Sequence, residues 1–220
     1  MTAPQPAFPG RDCPLCPRLV AFRTANRERE PDWHNGPVET FGPMDARLLV
    51  VGLAPGMRGA NRTGRPFTGD GAGNLLYPAL LATGFARGVY EARPDDGLEL
   101  LDCRITNGVR CVPPENKPTT VEIRTCNPFL GQEIASLPRL GAILALGGIA
   151  HGAVLTALGH RKSAFAFGHG AQHALPGGPL LVDSYHCSRL NTNTGRLTEA
   201  MFLAVLEDIR AALGLSAPSR

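Results

Sequence analysis

LLVVGLAPGMRGANRTGRPFTGDGAG, residues 48–73, joins an uninterrupted apolar run to a long polar loop dense in glycine. Four apolar residues without alternation are the pattern of a strand buried on both faces, and such strands belong to parallel sheets covered by helices. Glycines just past the strand let a ligand come close to the backbone, at the carboxyl edge where open α/β sheets bind. The stretch predicts an α/β fold with an active-site loop at residues 52–73.

Outward from this stretch, strand and helix signals alternate. Residues 47–51 read as the first strand, and Leu75, Leu76, Leu80 and Leu81 recur at helical spacing over residues 73–83, closed by Gly84. Residues 100–106 read as a second strand, and 119–136 as a helix with Thr119 or Thr120 as its N-cap. Residues 142–146 read as a third strand, followed by a Gly-Gly start to a helix that reaches Leu158. Residues 165–175 carry several glycines and some alternation, as a hairpin or an irregular loop would, before a strand at 180–184. TEAMFLAVLEDIRAAL, residues 198–213, is an amphipathic helix stopped by Gly214. The alternation implies a parallel sheet. No linker or repeat divides the 220 residues, so one domain is expected, with a flexible arm at 1–12, an N-terminal segment with two cysteines at 13–46 and the core at 47–214.

The chain is 43% hydrophobic and 19% charged, enough to bury a core without disulfide staples. No stretch approaches the roughly eighteen apolar residues of a membrane span, and the start lacks a signal-peptide hydrophobic region, so a cytoplasmic protein without a membrane partner is expected. A formal charge of +3 does not by itself argue for nucleic acid. All but Lys117 and Lys162 of the 22 basic residues are arginine. That choice suits bidentate phosphate contacts and equally suits a GC-rich codon bias.

In a reducing compartment six cysteines are metal ligands or buried thiols before they are disulfides. Cys13 and Cys16 form a C-x2-C, and Cys111 and Cys126 offer a second pair fourteen residues apart. Four thiolates suit tetrahedral zinc or an iron–sulfur cluster, and spacing alone does not separate the two. Cys103 reads as a small buried hydrophobe within a strand. Cys187 follows His186, and adjacent residues on an extended chain face opposite ways, which disfavours a Cys-His nucleophile.

Polar residues gather at three predicted strand ends: residues 52–73, Thr106-Asn107-Gly108, and 186–191 (HCSRLN). Taken singly, Asn107-Gly108 is a common turn, His186 a surface group and Asp70 a helix cap. Their convergence on one edge of the sheet is what points to a site.

Together GLAPGMRGANRTGRPFTGDGAG, TNGVRCVPPENKPT and HCSRLNTNTGRLT resemble the uracil-DNA glycosylase superfamily, and within it the iron–sulfur branch called family 5. The likeness runs from Cys13 to Thr198. It implies a three-layer αβα domain with a four-stranded parallel sheet, and a 4Fe-4S cluster on Cys13, Cys16, Cys111 and Cys126 that orders the loop between the last two. It also implies excision of uracil, and of other deaminated bases, from double-stranded DNA and from single strands, by a cytoplasmic enzyme acting as a monomer and found at the nucleoid when bound to DNA. The product is an abasic site for a downstream abasic-site endonuclease.

By position, the resemblance assigns Gly52, Leu53, Ala54 and Phe67 to the flipped base, with Phe67 stacking on it. Asn107 pairs with the base edge, and His186 stabilises the departing anion through its N–H. Arg62, Ser188 and Arg189 are assigned to DNA phosphates, and Leu190 and Asn191 to the wedge that enters the vacated stack. Two departures bear on mechanism. Leu53 and Ala54 stand where relatives of other branches carry an acid or amide, which leaves Asp70 to position water or offset the sugar's charge and implies a broader base range. Cys187 replaces the usual proline, which leaves the third motif freer before binding. Lys117 and Lys162 are poorly placed for lyase chemistry, so a monofunctional enzyme is expected. The alternatives are a non-catalytic iron–sulfur or zinc module that binds DNA damage, and a nucleotide-dependent transferase, which lacks a P-loop motif.

Overall fold

Leu48, Leu49, Val50 and Val51 are fully buried at the centre of the sheet in a computed structural model that describes residues 8–216. The elements run α1 (Pro17–Arg29), β1 (Leu48–Gly52), α2 (Ala60–Thr63), α3 (Gly73–Ala82), β2 (Ala86–Arg87), β3 (Glu99–Leu100), β4 (Cys103–Asn107), α4 (Thr120–Ser136), β5 (Ala142–Leu146), α5 (Gly148–Ala157), β6 (Gln172–Ala174), β7 (Leu180–Ser184), α6 (Arg189–Asn193) and α7 (Glu199–Ala212). The main sheet has the order β4-β1-β5-β7-β6. Its first four strands are parallel, as expected. A fifth, β6, pairs antiparallel with β7. The stretch at 165–175 thus returns along β7 and closes that edge, and the four-stranded expectation is corrected to five.

Period-two geometry divides β1 between two cores. Leu48 and Val50 pack with Leu76 and Leu80 of α3 and Phe202, Leu206 and Ile209 of α7. Leu49 and Val51 face Leu130 and Ile134 of α4 and Ala150 and Val154 of α5. Helices on both faces make the αβα layers. The order puts β4 and β5 on opposite sides of β1, so the chain reverses direction there and opens a crevice at the carboxyl ends of β1, β4 and β7.

The strand expected at 100–106 is two elements. Asp102 stands between β3 and β4 with φ +54, and its carboxylate accepts from Arg47 N at 2.9 Å and Arg47 Nε at 2.6 Å. That anchor repays a left-handed residue and breaks the strand. The arm assigned to residues 1–12 lies outside the described residues as far as residue 7, and beyond it Arg27 binds the Asp12 carboxylate at 2.6 Å.

α4 begins with a capping box in which Thr119 Oγ1 accepts from Glu122 N at 3.2 Å and Glu122 Oε2 accepts from Thr119 N at 2.7 Å. Arg18 of α1 also binds Glu122, through Nε at 2.7 Å, and this holds Glu122 below the usual carboxylate range. The start of α1 is thereby fixed against α4, which sets Cys13 and Cys16 beside Cys126.

A buried charge network ties β4 to α4. Glu133 accepts from Arg104 Nε at 2.6 Å and Thr40 Oγ1 at 3.0 Å, with Arg110 Nη2 at 3.5 Å. Both arginines are nearly or wholly buried, so their charges depend on this one carboxylate. Glu133→Gln keeps the volume and removes the charge; we expect a loss of about 3–5 kcal/mol, read as a lower urea midpoint with an unchanged slope.

Candidate active site

The crevice at the strand ends holds a cavity of about 560 Å³, and all three predicted segments reach it. Gly52 ends β1 beside Asn107, which ends β4. A Cβ on Gly52 would overlap Asn107 Oδ1 and the Phe67 ring, so only glycine lets the amide and the ring approach the backbone here. Asn107 is 3% exposed, and its Oδ1 has no hydrogen-bond partner. A buried acceptor left unmade is costly, so this amide is built to meet something that enters the cavity.

Phe67 adopts φ +53, a conformation uncommon for a bulky residue, and needs surrounding structure to hold it. Arg65 supplies much of it. Its Nη1 and Nη2 grip Asp96 at 2.8 and 2.7 Å, its Nε donates to Thr68 Oγ1 at 2.7 Å, and its guanidinium lies 5.3 to 5.9 Å from the Phe41, Tyr77 and Tyr90 ring centres. Arg65 holds the Asp96 carboxyl well below its usual range. Tyr77 and Tyr90 donate to the carbonyls of Pro66 and Phe67 at 2.5 and 3.3 Å, which pins the turn on both sides of the ring. Neither Arg65 nor Asp96 stands out in the sequence, because they are thirty-one positions apart with α3 and β2 between them.

Asp70 lies in the cavity wall, with Oδ1 accepting from Ala72 N at 3.1 Å. The N-cap of α3 is Ala72, so Asp70 is not the formal cap. Its other oxygen sits against Gly56 and Gly59, where any Cβ would collide with it. Those glycines let the first-motif backbone close around a carboxylate. Leu53 and Ala54 line the same cavity and bring no polar side chain.

His186 enters from β7, its ring 5.9 Å from that of Phe67. Burial pushes its pKa below the ordinary 6.5, and the Asp70 charge partly opposes this. The imidazole is therefore neutral at pH 7. Cys187 is fully buried in the main core. The segment after it, expected as loop, forms α6, capped by Ser188, whose side chain accepts from Asn191 N at 3.5 Å. Asn191 Nδ2 donates to the His186 carbonyl at 2.8 Å, so this amide fastens the third motif. Leu190 is 73% exposed at the rim. Ser188, Arg189 and exposed Arg58 line the cavity, whereas Arg62, exposed on α2, is not among its lining residues.

Asn116 also lines the cavity, and no strand-end pattern marks it. It belongs to the loop between Cys111 and Cys126. Glu115 and Asn116 both take φ +56, and Asn116 Oδ1 accepts from Met57 N at 3.3 Å. An Asn in a Pro-rich turn, where left-handed backbone is tolerated, was the available signal.

Cys13, Cys16, Cys111 and Cys126 surround one small enclosed space with Leu19 and Phe129. Burial raises the Cys16, Cys111 and Cys126 thiols above their ordinary range, Cys111 to about 12. Positive and N–H groups face the sulfurs: Arg23 Nη1 lies 3.8 Å from Cys111 Sγ, and Arg110 N lies 3.4 Å from Cys126 Sγ. Desolvated thiols beside such donors become thiolates when a metal supplies the charge, so the donor set fits a thiolate-bound group. Cys103 and Cys187 lie elsewhere, wholly buried in the main core.

The neutral state of His186 has a measurable consequence. Its ring should titrate in an NMR series with a midpoint below 6.5, and Asp70→Asn should lower it further by removing the opposing charge. The folded ring resists a proton that the unfolded ring accepts. Its contribution to stability is therefore full above 6.5 and declines as pH falls below that value. A midpoint at or above 6.5 would contradict the burial argument.

A family model described as the uracil DNA glycosylase superfamily matches residues 39–210, which include every cavity residue named above. A type-5 uracil-DNA glycosylase of Thermus thermophilus is 50% identical over 209 residues, covering 92% of this chain and 94% of that protein. One of Pyrobaculum aerophilum is 41% identical, with 92% and 90% covered. One of Mycobacterium leprae is 42% identical, with 92% of each covered. A type-4 uracil-DNA glycosylase of Thermotoga maritima is 31% identical over 78% of each chain. The chain belongs to the uracil-DNA glycosylase superfamily and, within it, to the type-5 family.

Proposed function

We propose that the protein removes uracil from DNA by hydrolysing the bond between base and sugar. The observation that carries this reading is the unpartnered, buried Oδ1 of Asn107 in one cavity with the Phe67 ring and His186. A pyrimidine ring needs such a slot: an aromatic face to stack on, an amide that can both accept and donate along its polar edge, and an N–H at the carbonyl oxygen that becomes anionic. A base within a duplex does not reach a cavity at strand ends, so the nucleotide swings out first, at a cost of a few kcal/mol. Arg58, Ser188 and Arg189 at the opening hold backbone phosphates, and exposed Leu190 fills the gap left in the stack.

Bond cleavage builds positive charge on the sugar and negative charge on the departing base. Neutral His186 donates to the base oxygen as charge develops there. The Asp70 carboxylate offsets the sugar's charge and accepts a proton from the attacking water. Asn116 stands on the same wall, and its NH2 group helps to hold that water. No lysine lines the cavity among the described residues, which fits a monofunctional enzyme that leaves an abasic site for an endonuclease to process. Leu53 and Ala54 impose no polar selection, so other deaminated bases fit as well.

Cys13, Cys16, Cys111 and Cys126 hold a 4Fe-4S cluster in this reading. Four cysteines from two distant segments around one space match the four thiolates such a cluster takes. The cluster supplies a cross-link that orders the loop carrying Asn116.

Single-turnover release of free base from uracil-containing duplex tests the reading. Asp70→Ala should slow release by about 10²–10⁴-fold with binding and fold retained. Asn107→Ala should weaken capture of the flipped base. Tight binding of uracil DNA by intact protein without base release would favour the non-catalytic alternative. On duplexes with hypoxanthine and xanthine, release is also expected; excision of uracil alone would refute the broad range.

A further inference from the structure

We propose that His151, His173 and Asp183 bind one zinc ion at a site separate from the four cysteines. The three residues come from α5, β6 and β7, and their ligand atoms all lie within 4.8 Å of one another. Asp183 is fully buried; its Oδ1 is 2.8 Å from His151 Nδ1 and its Oδ2 is 3.0 Å from His173 Nε2. Gly168 N donates to the same Oδ2 at 3.4 Å.

The hydrogen-bond geometry at His151 calls for a proton or a metal between the ring and the Asp183 carboxyl. Its Nε2 lies 3.0 Å from the Phe165 carbonyl, which can only accept, so Nε2 carries the hydrogen. In a neutral ring Nδ1 then turns a lone pair toward a carboxyl oxygen at 2.8 Å, and with nothing between them two acceptors at that distance repel. A positive centre between them resolves the conflict, either a proton or a metal. N–H donation to a backbone carbonyl fixes the tautomer and orientation of the ring, as it does for metal-binding histidines, and leaves the other nitrogen to ligate.

Zinc fits the donor set of two imidazoles and a carboxylate, with a fourth position for water. Ligands of one zinc sit about 3–3.5 Å apart at normal bond lengths, so the side chains need to part only slightly. On binding, the ion displaces whatever proton His151 Nδ1 carries, and His173 moves its proton from Nε2 to Nδ1. Phe165 and Phe167 stand edge-on to His173 and His151, which keeps most solvent away.

The ion would clasp the 165–174 hairpin to β7 three residues before His186. That hairpin also carries His169, stacked on Tyr185 with ring centres 5.0 Å apart. Its Nδ1 accepts from Tyr185 N at 3.3 Å. The metal thus steadies the strand end that delivers the third motif.

The test is zinc binding by the purified protein with its thiol site loaded, measured by equilibrium dialysis and by X-ray absorption at the zinc edge. We expect one zinc per chain with nitrogen and oxygen neighbours at about 2.0–2.2 Å and no sulfur. His173→Gln, a change on a half-exposed edge strand, should weaken binding by more than about 100-fold, beyond the 10–100-fold that loss of a ligand's hydrogen-bond partner costs. It should also abolish any zinc-induced rise in melting temperature. No bound zinc, a sulfur shell, or unchanged affinity in His173→Gln would overturn the site. The absorption result on the unaltered protein decides the matter if the variant does not fold.

Discussion

The close approach at Gly52 is the constraint on which the site depends. Without a side chain there, β1 and β4 end with the Asn107 amide and the Phe67 ring lying directly on the backbone. The slot between ring, amide and His186 exists because that space is left for them. Much of the surrounding structure maintains it. The Arg65–Asp96 pair holds a left-handed Phe67, and glycines at 56 and 59 admit the Asp70 carboxylate. Each is a local departure from ordinary backbone or packing preferences, offset by buried hydrogen bonds, as functional sites commonly are.

The thiol site and the cavity belong to one mechanical unit. Glu122 joins α1 to α4 through Arg18, and the Cys111–Cys126 loop reaches the cavity through Asn116 and its bond to Met57 N. Behind the loop, Arg110 lies wholly buried and shares Glu133 with Arg104 of β4. Ordering the four thiols therefore restrains the segment that presents Asn116, while the Glu133 network couples it to the sheet. The cavity and the four cysteines are thus joined by packing.

The parallel sheet was legible because its strands are continuous apolar runs, and the site because its polar residues follow those strands. Thr119 was readable as a cap. α1 was not, since two of its three buried positions, Arg23 and Asn26, are polar and break the apolar period. The break at Asp102 depends on Arg47, fifty-five residues away and outside any local window, whereas β6 pairs with its near neighbour β7, and the glycines of that stretch fit a hairpin and an irregular loop alike. Asn191 was read with the wedge, yet its amide turns inward to His186, a contact set by the turn of α6. Arg65, Asp96 and Asn116 escaped because long-range contacts, and not residue pattern, give them their roles.

Gly52→Ala probes this account most directly. One methyl group should force Asn107 and Phe67 off the backbone and close the slot, while the phosphate contacts at the rim remain. The account predicts that single-turnover base release from uracil-containing duplex falls by at least about 100-fold, on the scale of losing one preorganised donor, with duplex affinity changed little. Release at the rate of the unaltered protein would contradict it and move the base-binding slot elsewhere.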